Sequence, residues 1–495
     1  MRFIYRIIGR NEAVGECKDT SSKVLIIGAG DAGAMLIKEV KKHNILNYDI
    51  VGLVDDDLSK IGQVINGIKI IGTRNDILKI CDEHKVEEIF ITIPSAPFQE
   101  RKEIYNICKK TGCKLKTLPG IYEIITGDVN ISQLRDVDIN DLLGRAPVSL
   151  NNDNINMYIN NKVVLVTGGG GSIGSELCRQ IVKFNPKKLL ILDIYENNAY
   201  DLQIELKHKY PELDLDVIIA SIRDFNRLKS IFEQYKPYVV FHAAAHKHVP
   251  LMEANPSEAI KNNIIGTYNL VKCSDMYKVK KFVQISTDKA VNPTNVMGAT
   301  KRFCEKIIQA FDKESETEYV AVRFGNVLGS NGSVVPLFKK QIMQGGPVTV
   351  THPDINRFFM TIPEAAQLVI QAGAMANGGE IFVLDMGEAV KIVDLARDLI
   401  RLSGLKPDMD IKIEYTGLRP GEKLYEELLM DEVALTSTEH EKIFIEKPME
   451  FDRNYIEKSI EEFNDAIQKN RGEIIELLKE KVPTYISKRR ENFES

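Results

Sequence analysis

The chain has 495 residues, with 65 Lys and Arg against 70 Asp and Glu, a net charge of -5 and 44% hydrophobic residues. That length exceeds what one core usually holds and predicts at least two domains. The charge excludes a general nucleic-acid surface. No apolar run approaches the roughly 18 residues of a spanning helix.

The seven cysteines are scattered and odd in number, and none has metal-ligand spacing. They read as reduced thiols of a cytoplasmic protein with no metal. Residues 1–22 form a leader. Arg2, Arg6 and Arg10 share one helical face, with Phe3, Ile4, Ile7 and Ile8 largely opposite. Such a face suits peripheral contact with the anionic inner surface of a membrane.

Residues 23–127 alternate strand and helix signals and predict a Rossmann-like nucleotide-binding domain. Lys23 to Ile27 is an apolar run that leads into Gly28-Ala-Gly-Asp-Ala-Gly33 and a helical pattern to Lys42. Tyr48 to Val54 reads as the next strand and ends in Asp55, placed to hold a ribose. Residues 128–160 read as a connector.

A second Rossmann unit spans 161–435. The strand from Lys162 to Thr167 runs into Gly168, Gly171, Ser172, Ile173 and Gly174, with a helix expected from Ser175. These glycines let backbone approach a pyrophosphate at a helix N-terminus. Asp193 ends the second strand, where a carboxylate accepts from ribose hydroxyls and repels a 2′-phosphate; this predicts NAD over NADP. Asp224 follows the third strand, where such folds bind adenine. Ala243 and Ala244 end the fourth and admit the cofactor closely. Asn262 and Asn263 are expected to support an active-site lysine.

The strand Lys281 to Ile285 ends in Ser286, Thr287, Asp288 and Lys289, and ligands of open α/β sheets bind at such ends. Met297 and Lys301 then share one helical face. The pattern resembles Tyr-x-x-x-Lys of the short-chain dehydrogenase/reductases, with Met297 in place of tyrosine. Later Gly- and Asn-rich loops carry Asn326, Arg357, Arg419 and Glu422, and the two arginines are candidates to clamp phosphates. Residues 436–495 read as a charged helical segment, of which 452–495 are amphipathic helices forming a solvated cap.

Taken together, residues 23–430 resemble the CapD-like polysaccharide-biosynthesis proteins, the long-form UDP-N-acetylglucosamine 4,6-dehydratases. The segments that carry the likeness are Gly28 to Gly33, Asp136-Val-Asp-Ile, Asp141 to Arg145, Thr167 to Glu176, Ala243 to Pro250, Ser286 to Lys301, and Leu418 to Lys423. Such proteins carry N-terminal membrane helices, and the leader here resembles the segment after the last of them.

The resemblance implies an α/β fold of two tandem Rossmann-type doubly wound sheets, the second an extended short-chain dehydrogenase/reductase with a small substrate subdomain. It implies tightly bound NAD, a UDP-N-acetylglucosamine or related UDP-sugar substrate, and a homo-oligomer. The reaction implied is C4 oxidation, loss of water across C5–C6, and hydride return to C6. Asp288 matches the family's acid and Lys289 its base, Thr287 reaches the C4 oxygen, and Lys301 holds the nicotinamide ribose. Lys247, His248, Asn326, Arg357, Arg419 and Glu422 are the expected substrate contacts. A base at C5 needs a neutral amine, so Lys289 is expected to have a lowered pKa. Two rivals stand beside this reading: a nucleotide-sugar epimerase, and a catalytically silent NAD- or nucleotide-sugar-binding module.

Overall fold

The computed structural model describes residues 21–42, 48–118, 134–143, 145, 148–427, 435–446, 448–469 and 473–487. The basic leader lies outside them, apart from Ser21 and Ser22. The chain divides into two compact units, residues 1–144 with 401–405 and residues 145–400 with 406–495.

In the first unit the apolar runs form a parallel core. Ser22–Ile27 pairs with Tyr48–Val54 on one side and Glu88–Ile91 on the other. Helix Asp31–Lys42 buries Leu36, Ile37 and Val40, its apolar stripe at helical spacing. Asp55 accepts from the Ala29 N–H at 2.8 Å and pairs with Lys60 at 3.2 Å.

The second unit is built on a nine-stranded sheet. Its order is Leu215–Ile219, Lys188–Asp193, Val163–Thr167, Val239–His242, Lys281–Ile285, Glu318–Arg323, Ile381–Leu384, Ile443–Glu446 and Leu435–Ser437. The first seven strands pair in parallel. Their near-continuous apolar sequence follows from helices covering both faces. Strand order reverses between Val163–Thr167 and Val239–His242, the switch point where a crevice opens beyond the carboxyl ends. Small sheets formed by Asn326–Val327, Asn356–Met360 and Ala389–Lys391, and by Val348–Val350 with Ile413–Tyr415, make the subdomain beyond those ends.

The C-terminal segment departs from the expected solvated helical cap. Ile443–Glu446 extends the main sheet antiparallel to Ile381–Leu384, and Leu435–Ser437 pairs antiparallel with Ile443–Glu446 at the edge. Helices Arg453–Gln468 and Ile474–Lys481 bury Ile456, Phe463, Ile474 and Leu478 in the core that contains Phe303 of helix Val296–Asp312. Many charges on these helices face solvent, but one apolar stripe does not. The later part of the expected connector is likewise structural: helix Asn152–Ile159 buries Ile155, Tyr158 and Ile159, and the Tyr158 hydroxyl donates to the Ile370 carbonyl at 2.6 Å. Among the described residues no helix is long and apolar enough to cross a membrane.

Candidate active site

A cavity of about 710 Å³ opens beyond the carboxyl ends of the second unit's strands. One end is walled by Gly171, Ser172, Ile173 and Gly174. Helix Ser172–Ile181 starts three residues earlier than expected, with Gly171 as its N-cap. Gly168 holds φ +67°, and a Cβ there would lie 2.6 Å from the Ala244 nitrogen. A Cβ on Gly174 would lie 2.0 Å from the Gly168 carbonyl oxygen. The glycines thus let the loop, the helix and the Ala243–Ala244 backbone close on one another.

Gly171, Ser172, Ile173, Gly174 and Ala243 reach the cavity wall; Gly168 and Ala244 lie behind it. Asp193 is beside the loop, accepting from the Gly170 N–H at 2.8 Å and the Tyr195 N–H at 2.9 Å. Asp224 is exposed outside the cavity, and its carboxylate caps helix Phe225–Tyr235 through the Arg227 N–H at 2.9 Å.

Strand Lys281–Ile285 delivers the candidate reactive cluster. Ser286, Thr287, Lys289, Met297 and Lys301 line the cavity, but Asp288 does not. The Asp288 carboxylate is buried behind its neighbours. Its Oδ1 accepts from the Thr287 hydroxyl at 2.8 Å and from Lys289 Nζ at 3.0 Å, while Oδ2 has no hydrogen-bond partner. A residue pattern cannot tell which of three successive side chains turns inward.

Asn295 caps helix Val296–Asp312, and a Cβ on Gly298 would lie 2.2 Å from the Lys289 carbonyl oxygen, so the helix packs hard against the reactive turn. Burial lowers the Lys301 pKa, with Cys304 and Glu305 opposing. Asn263 does not support Lys301 as expected. A π-turn over Ile260–Ile265 aims it at Thr300 Oγ1 (3.0 Å) and at the backbone of His246.

All six expected substrate contacts line the cavity: Lys247, His248, Asn326, Arg357, Arg419 and Glu422. Arg419 is exposed there, and burial lowers the pKa of Lys247. Arg357 is not the expected phosphate clamp. Its guanidinium donates to the carbonyls of Asn356 (2.7 Å), Lys423 (2.7 Å) and Leu424 (3.2 Å). It therefore clamps the segment Leu418–Glu427, which is also tied through Asn295 Nδ2 to the Gly421 carbonyl and Lys423 Nζ to the Asn292 carbonyl.

Residues 164–448, more than half of the chain, match the family described as polysaccharide biosynthesis protein, and residues 2–119 match a CoA-binding domain. The capsular polysaccharide biosynthesis protein CapD of Staphylococcus aureus is 48% identical over 90% of this chain and 75% of its own length. The chain belongs to the CapD-like polysaccharide biosynthesis proteins. An inverting UDP-N-acetylglucosamine 4,6-dehydratase of Campylobacter jejuni is 34% identical over 58% of this chain and 84% of its own. A UDP-glucose 4-epimerase of Rickettsia canadensis is 37% identical over 55% and 78%. The crystal structure of Pen from Bacillus thuringiensis superposes with a TM-score of 0.55 at 38% identity, covering 60% of this chain and 92% of that one.

In this CapD-like chain the structure adds residues that sequence reasoning missed. Glu426 lies 3.5 Å from Lys289 Nζ and 3.6 Å from Arg357 Nε, with 4% of its side chain exposed. The expected lowering of the Lys289 pKa is not found. Burial presses its pKa down, but the charges of Asp288 and Glu426 outweigh burial and the net shift is upward.

Beneath Ser286 lies a buried ionic cluster. Glu305 accepts from Ser286 Oγ (2.6 Å), from Arg323 Nε (2.6 Å) and Nη2 (2.7 Å), and from Arg302 (3.0 Å). Arg323 also pairs with Glu446. His242 sits between the hydroxyls of Thr167 (2.8 Å) and Thr267 (2.9 Å), kept neutral by burial and by the charge of Lys301. Apart from the i,i+3 pair Arg302–Glu305, these have no local signal, because each partner comes from a distant strand, helix or loop.

Proposed function

We propose that the chain is a nucleotide-sugar-modifying enzyme that carries out NAD-dependent 4,6-dehydration of UDP-N-acetylglucosamine. The observation that carries this reading is the hydrogen-bonded Thr287–Asp288–Lys289 cluster, with Thr287 and Lys289 on the cavity wall beside Met297 and Asp288 buried behind them. A simple epimerase has no use for such an acid/base pair. The glycine loop fits a dinucleotide. Its backbone is bare where a Cβ would collide, and the wall from Gly171 to Gly174 adjoins Ala243 and leads to Lys301. When bound there, NAD would supply acceptance of the C4 hydride and its return to C6.

The chain's own groups move the protons. The C4 hydroxyl gives its proton to Thr287 Oγ1 as Thr287 passes its own to Asp288 Oδ1, along the 2.8 Å bond observed. Asp288, an acid after that transfer, returns the proton by the same route to the departing C6 hydroxyl, which leaves as water. The C5 proton, acidified by the C4 ketone, goes to Lys289 Nζ in its amine form and is given back after water has left. Protons balance, and Met297 takes no part. Lys247 and Arg419 bring positive charge to the cavity where the UDP diphosphate would lie.

The test is a product assay with purified protein and UDP-N-acetylglucosamine. The expected product is a 4-keto-6-deoxy sugar nucleotide, lighter than substrate by one water. A stable C4 epimer, or binding without turnover, would replace this reading with one of its rivals.

A further inference from the structure

We propose that Glu426 is a positioning residue that holds Lys289 in place as an ammonium ion in the resting site, so that loss of this proton gates the base. The inference rests on the dehydratase reading for the role of Lys289, but not for its charge state.

The geometry comes first. Lys289 Nζ is faced by three acceptors: Asp288 Oδ1 at 3.0 Å, Asn326 Oδ1 at 3.5 Å and Glu426 Oε1 at 3.5 Å. An ammonium has three N–H donors and no lone pair. A neutral amine would turn its lone pair toward an acceptor. The groups come from separate elements: Asp288 from the reactive turn, Asn326 from the strand Asn326–Val327, and Glu426 from the segment Leu418–Glu427. Arg357, on the strand Asn356–Met360, is the opposing cation and shares Glu426 at 3.6 Å. Thus two buried carboxylates and one guanidinium surround one lysine, and the half-buried Glu422 also pairs with Arg357 at 3.6 Å. Negative charges outnumber positive ones in this group, most of all when Lys289 is neutral. With a neutral amine, Asp288 and Glu426 would face only one arginine, leaving an excess negative charge in a site with little solvent.

The placement also links chemistry to ligand. The segment that supplies Glu426 carries Arg419 and Glu422 on the cavity wall. It is pinned to the reactive turn by Lys423 and Asn295. A sugar nucleotide held by Arg419 would bear on the same segment that sets the distance from Glu426 to Lys289.

The experiment is trace acetylation of the full-length protein across neutral to alkaline pH, with the peptide containing Lys289 followed by mass spectrometry. In the wild type, Lys289 should titrate above the free-lysine value of about 10.4. Glu426→Gln should weaken its proton affinity at least tenfold, because the amide leaves Lys289 facing Arg357 with one counter-ion fewer. Glu426→Asp should keep it raised. The acid limb of product formation should move to lower pH in Glu426→Gln by a matching amount.

A wild-type Lys289 that titrates at or below the free value overturns the proposal without any variant. So does a Glu426→Gln protein whose Lys289 titration is unchanged. If no dehydrated product forms while the titrations behave as described, the reaction assignment falls and the Glu426–Lys289 coupling stands.

Discussion

Glu305→Gln is the substitution on which the packing argument can be checked most sharply. Glu305 is fully buried and takes four hydrogen bonds, from Ser286, Arg302 and twice from Arg323. Burial alone would raise its pKa, yet the charges of Arg323 and Arg302 and the hydrogen bonds bring it from 4.5 down to about 2. At about 1.4 kcal/mol per pKa unit, that depression corresponds to roughly 3 kcal/mol of stability. Direct removal of one member of a buried ion pair costs about 3–5 kcal/mol, so the two routes agree.

The sign follows from the depressed pKa. The contribution is complete above about pH 4.5 and fades as pH falls toward 2. Glu305→Gln should therefore lower the stability of the second unit by about 3–5 kcal/mol at neutral pH. The gap from wild type should shrink below about pH 4. Pulse proteolysis in urea reads this, with fragments of the second unit followed by mass spectrometry. A loss under about 1 kcal/mol at pH 7, or a gap equally wide at pH 3, would refute the argument. The cluster also anchors Ser286, on the cavity wall next to Thr287, so activity should fall with stability.

Asp193→Ala should weaken NAD binding and abolish the preference over NADP, measured by calorimetric titration; an unchanged preference would show that Asp193 only holds the Gly170 and Tyr195 N–H groups. Phe463→Ala should destabilise the second unit by about 3–5 kcal/mol, because Phe463 is fully buried with its ring centroid 5.4 Å from that of Phe303; a loss below about 1 kcal/mol in urea would return the C-terminal helices to a solvated role. Lys289→Ala should leave C4 oxidation intact and stop C5 exchange with deuterated water, with bound NADH accumulating in a single turnover; continued C5 exchange would remove Lys289 as the base.

Much of the architecture was determined locally and could be read from the sequence. The strands Tyr48–Val54, Val239–His242 and Lys281–Ile285 run where the apolar stretches predicted them. An apolar run of that length can bury both faces only in a covered parallel sheet. The glycines at 168 and 174 were legible for a similar reason, since side chains there would meet backbone atoms. The six candidate substrate contacts reached the cavity because loops at strand ends of such a sheet converge there.

Tertiary structure alone decided the charges. Glu426 is 137 residues from Lys289 and Glu446 is 123 from Arg323, and in sequence neither glutamate is marked as a partner of the distant cation. Whether a charge is solvated or paired depends on which surfaces the chain closes together, and periodicity carries no record of that. The same holds for the C-terminal segment, whose apolar stripe is buried only because helix Val296–Asp312 offers it a face. The lysine expected to have a lowered pKa is instead shifted upward, by Asp288 and by a carboxylate that only the folded chain brings within 3.5 Å.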